Sequence, residues 1–162
     1  MKTFNLAQAL KHKNRLAGEI ARAREIVQRE NSHKESQAAR AEVRAVFDQC
    51  VAQSRELAAF KGAIAAANAG GVSGDCGIYG KLYLQAELRG LITFLKGLNT
   101  KEGEEVERVG FLTRDEAVRT VYVVTIARDE VDRLVANFQT EIEQLQDEID
   151  EFNATTRITI SA

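Results

Sequence analysis

The residues most able to do chemistry lie in the stretch GGVSGDCGIYGK, positions 70–81. It combines clustered glycines, Asp75, one of the two cysteines (Cys76), and a glycine followed by lysine. A phosphate loop requires G-x-x-x-x-G-K-[ST] entered from a strand, so that backbone amides cradle phosphate oxygens and the hydroxyl holds magnesium. Here Gly74 stands one residue too far from Gly80, Leu82 takes the hydroxyl position, and alanine-rich helix precedes the stretch. A dinucleotide fingerprint fails as well, since Gly71, Gly74 and Gly77 give G-x-x-G-x-x-G. The expectation is a connection between helices, in which glycine reaches positive φ without steric cost.

Other candidate chemistry is equally sparse. Asp75 and Cys76 have only His12 and His33 as further nitrogen ligands to draw on, and no spacing in the chain matches a metal site of three or four converging ligands. Cys50 and Cys76 read as two reduced thiols, with Cys50 on an apolar stripe where it behaves as a small hydrophobe. Neither histidine belongs to a nucleophile motif, so no catalytic triad or dyad is assigned. No cofactor, no metal and no enzymatic activity are the expectations.

The elements that position these residues are long helices. The chain has 162 residues and no proline, which permits uninterrupted helices, and its 44% hydrophobic and 28% charged content fits one folded domain. Ala9, Lys13, Leu16, Ile20, Ala23 and Val27 form one stripe and predict a helix over 5–31. Ser32 and Glu35 have the spacing of an S-x-x-E capping box and predict a second helix over 33–68, with Val43, Val46, Cys50, Gln53, Leu57, Phe60, Ile64 and Ala67 on one face. Such a helix would run roughly 50 Å and project, with the first, as a hairpin. Leu84, Leu88, Leu91, Leu95 and Leu98 predict a third helix over 80–97. A fourth, over 128–152, carries the cleanest stripe: Val131, Val135, Phe138, Ile142, Leu145, Ile149 and Phe152. Alternating β-branched segments predict strands at 105–112, 118–126 and 155–160. The fold class is therefore mainly α with a small β element: a long antiparallel helical hairpin or coiled-coil bundle plus a small antiparallel sheet.

The net charge of −2 conceals a division along the chain. Residues 1–44 hold ten Lys/Arg against five Asp/Glu, and residues 129–152 hold nine Asp/Glu against Arg133 alone. Lys11, Lys13, Arg15, Arg22, Arg24 and Arg29, followed by Arg40 and Arg44, could contact an anionic partner such as nucleic acid. The favoured reading pairs this basic stretch with the acidic fourth helix, within one chain or between two, because one pairing accounts for both anomalies. The narrow stripes, that of the fourth helix above all, point to self-association into a homo-oligomer. No membrane-spanning run or secretory leader is visible, and a cytoplasmic protein is expected.

The segments NLAQALKHKNRLAGEI, AAANAG with LYLQAELRGLITFL, and LQDEIDEFNATTRITI together resemble the small bacterial septicolysin-like proteins of unknown function, over nearly the whole chain in order. The glycine stretch 70–80 departs from that pattern. The resemblance implies an elongated helical protein with a small β element, supplies no catalytic residue, and comes with no membrane-inserting segment in this chain.

Overall fold

The computed structural model describes residues 3–39, 41–69, 77–108 and 117–157. Its elements follow the order α1 (Leu6–Glu30), β1 (Ser32–Lys34), α2 (Val43–Asn68), α3 (Gly77–Lys96), β2 (Gly103–Arg108), β3 (Ala117–Val124) and α4 (Arg128–Thr155). The protein is mainly α with a small antiparallel sheet, in the strand order β1-β3-β2.

Local chemistry sets the start of α1. Asn5 is its N-cap: the Gln8 amide donates to Asn5 Oδ1 at 2.8 Å, and the Asn5 amide donates to Gln8 Oε1 at 2.9 Å. Two otherwise orphaned amides are satisfied reciprocally. Leu16, Ile20, Ala23 and Val27 then face inward, as the periodicity requires.

The second helix begins at Val43 rather than at 33. The Ser32 hydroxyl donates to Lys101 O at 2.6 Å instead of capping a helix, and the Glu35 amide donates to Val121 O at 2.9 Å as part of the sheet. Residues 32–34 are thus a strand, β1, paired antiparallel with β3 through Ser32 and Val124, His33 and Val123, and Lys34 and Tyr122. β2 and β3 form the expected antiparallel pair, running from Gly103 opposite Tyr122 to Arg108 opposite Ala117. Gly103 opens β2 with φ of +93°, a conformation L side chains rarely adopt.

The third strand is β1, not the C-terminal tail. Of the tail segment 155–160, Thr155 ends α4 and Thr156 caps it, while 158–160 fall outside the described residues. Thr155 fits a helix end because its hydroxyl donates to Glu151 O at 2.9 Å, so β-branching alone misleads here.

α1 packs on α2, α2 on α3, and α3 on α4. The α1–α2 pair is not a free-standing hairpin: α2 is covered by α1 and by α3. This is why its burial extends beyond the expected stripe to Phe47, Ser54, Ala58 and Gly62. α2 and α3 form the centre, with α1 and α4 on the flanks. The main core draws on every helix, with Val27, Phe47, Leu88, Leu91, Leu95, Ile126, Val131, Phe138 and Ile142 among its members. A smaller seam of Leu16, Ile20, Ala23, Cys50 and Leu57 joins α1 to α2.

One buried side chain ties the sheet end together. Asn31, 0% exposed, donates from Nδ2 to Asn99 O at 2.8 Å and to Ile126 O at 3.0 Å, and its Oδ1 accepts from the Ile126 amide at 2.9 Å. Its own carbonyl accepts from the Thr125 amide. The C-terminus of α1, the exit of α3 and the entry to α4 therefore meet at one point.

Candidate functional site

The charge division expected from the sequence is real, and its partners match the expectation in part: Arg44 of the basic stretch reaches α4, and the other bases that do so, Arg55 and Lys81, lie outside that stretch. Within the chain, the acids of α4 find bases on α2 and α3. Arg44 forks onto Glu130 with both N–O distances at 2.6 Å, Arg55 forks onto Glu141 at 2.5 and 2.7 Å, and Lys81 meets Glu148 at 2.8 Å. The hydrogen bonds from Arg44 and Arg55 hold the Glu130 and Glu141 carboxyls below their usual range and push both guanidiniums up. Of the expected basic stretch, Arg44 does meet α4, through Glu130, whereas the paired bases of α1 stay local: Arg15 with Glu19, and Arg29 with Glu30. Arg40 falls outside the described residues. α1 does not supply the intrachain partners of α4 in these pairs.

The basic residues of α1 are dispersed by the fold. Lys11, Arg15, Arg22 and Arg29 are exposed, and Lys13 is half-buried. Arg24 turns inward instead. Its guanidinium lies 5.7 Å from the centre of the Phe94 ring, and its Nε and Nη2 are buried with no hydrogen-bond partner among the described residues. It is therefore not presented to an outside anion. Beside it, Cys50 is fully buried and burial pushes its thiol up, the opposite of an activated nucleophile. Cys76 and Asp75 fall outside the described residues.

The stripe of α4 is used inside the chain. Val131, Phe138 and Ile142 belong to the main core, Val135 and Leu145 pack against it, and Ile149 is buried. Phe152 alone stands open, 43% exposed. The periodicity identified the buried face of α4, and that face meets α3 rather than remaining free for a second copy.

Two arrangements were not legible as sites. At the N-terminus of α1, the His12, Phe4 and Phe60 rings meet in a triangle, with centroids 5.4 Å (His12 to Phe4), 4.4 Å (His12 to Phe60) and 5.2 Å (Phe4 to Phe60) apart. Arg15 Nη2 donates to His12 Nδ1 at 2.9 Å, so His12 Nε2 carries the hydrogen donated to Glu56 at 3.0 Å. The tandem of aromatic, imidazole and carboxylate fastens the start of α1 to α2. At the sheet end, Arg29, His33, Lys34, Gln37 and Tyr122 help line an open cleft of about 610 Å³, where Glu30 holds Arg29 at 2.8 Å. In the cleft, which Ser32 also lines, the Ser32 hydroxyl donates to Lys101 O rather than to the neighbouring His33 imidazole.

The Gly–Lys pair of the glycine stretch lies inside α3, which starts at Gly77, and Lys81 is engaged by Glu148. A phosphate loop would need that lysine at the mouth of a loop, where it could reach a ligand. Among the described residues no cluster of His, Cys, Asp and Glu can hold a metal ion, and no helix is long and apolar enough to cross a membrane.

Part of the outer surface of the flanks remains unengaged, beside local pairs such as Arg128 with Asp132 and Arg133 with Asp129 on α4. Lys11 and Arg22 on α1, and Glu143, Asp147 and Glu151 on α4, are exposed and make no ion pair among the described residues. At the end of the bundle away from the sheet, Phe4, Leu6 and Leu10 of α1 and its lead-in, Tyr79 and Leu82 of α3, and Phe152 of α4 are large, apolar and exposed. No protein-family model matches the chain, and neither a curated protein nor a solved structure matches it.

Proposed function

We propose that this protein is a non-enzymatic helical scaffold, a protein-interaction module that acts as a homo-oligomer in the cytoplasm. The carrying observation is the pair of flanks, a basic α1 and an acidic α4: Lys11 and Arg22 on the one and Glu143, Asp147 and Glu151 on the other make no ion pair among the described residues, beside local pairs such as Arg15 with Glu19 and Arg133 with Asp129. Exposed apolar side chains at the sheet-distal end add area of the kind that association removes from water. The interior chemistry agrees with a structural part, since Cys50 is buried and the acids of α4 that face α2 and α3 are spent on ion pairs. The test is the mass in solution. Light scattering at micromolar concentration is expected to give a mass above 17.9 kDa, and a monomer at every accessible concentration would end the reading.

A second reading has its own observation: Lys11, Arg22 and Arg29 all point away from the core of α1, a row that a nucleic-acid backbone could follow. A salt series of binding to generic DNA and RNA separates the two. Phosphate contacts give a steep fall of affinity with salt, whereas the scaffold reading expects no such binding.

A further inference from the structure

We infer that the outward face of α1 in one copy docks against the outward face of α4 in a second copy of this chain. The inference rests on the homo-oligomer reading and adds to it the surface, the orientation and the register.

The orientation follows from how the two helices are anchored. α1 ends at Glu30 and α4 begins at Arg128, both beside the sheet, where Asn31 bonds to Ile126. Both helices rise by about 1.5 Å per residue. Two copies set side by side with their sheets level therefore place α1 of one antiparallel to α4 of the next, and the opposing residues are fixed. Arg29 comes level with Asp129, Glu25 with Arg133, and Lys11 with Asp147. Each encounter joins opposite signs, and all six residues are exposed. Lys11, Glu25 and Asp147 make no ion pair among the described residues, whereas Arg29 holds Glu30 and Arg133 holds Asp129 within the chain, contacts the docking would share. Within each helix these positions recur at separations that keep them on one side, away from the buried stripe.

Between the charged encounters Gly18 comes level with Thr140, so the backbones can approach closely at mid-length. The inverted arrangement, with the starts of the two helices level, sets Lys11 against Arg133 and Glu25 against Asp147. Like charges would then oppose, so the pattern selects one orientation as well as one partner. α1 and α4 lie on opposite flanks, so the contact is head to tail. Each copy keeps one complementary flank for a further copy, and the assembly grows or closes into a ring.

The test uses two swaps that each preserve the net charge: K11E with E25K on α1, and R133E with D147K on α4. All four positions are exposed, and circular dichroism checks that the helices persist. Sedimentation at low salt is expected to show each swap weakening association by roughly tenfold, since exposed pairs are individually modest. Joining both swaps in one chain, or mixing the two variants in equal amounts, is expected to restore the wild-type mass. An oligomer indifferent to both swaps overturns the interface and leaves self-association standing. Weakening without rescue overturns the register. A wild type that stays at 17.9 kDa overturns the homo-oligomer reading and this inference with it. An unchanged mass together with loss of DNA binding in the α1 swap assigns that face to nucleic acid and overturns the docking.

Discussion

Asn31 shows how much of this fold rests on a single polar side chain. It is fully buried and serves two carbonyls and one amide from the chain around residues 99 and 126. Removing it strands groups that water cannot reach, and each such group costs about 1–3 kcal/mol. Asn31→Ala is expected to lower stability by roughly 2–4 kcal/mol, read as a drop in the midpoint of urea unfolding; a loss under 1 kcal/mol would show that the hub is dispensable. Asn31→Asp keeps Oδ1 and loses the two N–H donors, so it should also destabilise, by setting a carboxylate against two carbonyl oxygens. Nothing in the sequence marked this residue: an asparagine after a helix reads as an ordinary C-terminal signal. Its role depends on segments that approach only in the folded chain.

At the scale of elements, α4 divides its labour between its two sides. Its inward side carries the core, and Ile142→Ala is expected to cost about 2–5 kcal/mol in thermal or chemical unfolding. Phe152→Ser should leave that transition nearly unchanged, because Phe152 is already open to solvent. The two measured together separate burial from exposure along one stripe. Its Glu130 and Glu141 side chains also set a pH dependence. Their folded pKa values lie below the ordinary carboxyl value of 4.5, so their contribution is complete above that value and is lost as the pH falls through the lower folded one. Arg55→Gln is expected to flatten the acid limb of stability below the ordinary carboxyl value of 4.5. The Arg55 and Glu141 side chains are 42% and 30% exposed, so screening limits the effect to about 1 kcal/mol or less. An acid limb identical to wild type would show that the fork contributes nothing. The four helices and the β2–β3 pairing were legible because long stripes and alternation record burial directly. β1 was not, because Ser-His-Lys has no alternation to read and Ser32 with Glu35 imitates a helix start. The partners of the α4 acids were legible only in part: Arg44 belongs to the basic stretch, but Arg55 and Lys81 do not. Sequence shows where charge lies along the chain, but not that α2 and α3 stand between α1 and α4.

For the molecule as a whole, the proposed association through opposite charge on opposite flanks would be sensitive to ionic strength. Exposed charges are screened beyond about 10 Å at 0.1 M salt. Raising salt from about 0.05 M to 0.5 M is expected to lower the weight-average mass of the wild type while leaving its helical content unchanged. A mass that holds or rises would assign association to the apolar residues at the sheet-distal end. The candidate site was half legible: the division of charge could be read off the chain, whereas the register of the flanks needed the common sheet end that levels Glu30 with Arg128.

The same sheet end sets a hierarchy of opening within one chain. The Ile126 amide is held by the buried side chain of Asn31, whose other bonds reach Asn99 O and the Ile126 carbonyl. No local fraying frees it, so its hydrogen should exchange with solvent only when the whole fold opens, at a rate that reports global stability. The Gln8 amide is capped by the exposed side chain of Asn5 and should exchange orders of magnitude sooner. The two hydrogens, read in one deuterium-exchange spectrum, are a clock for the whole molecule and a clock for its free end.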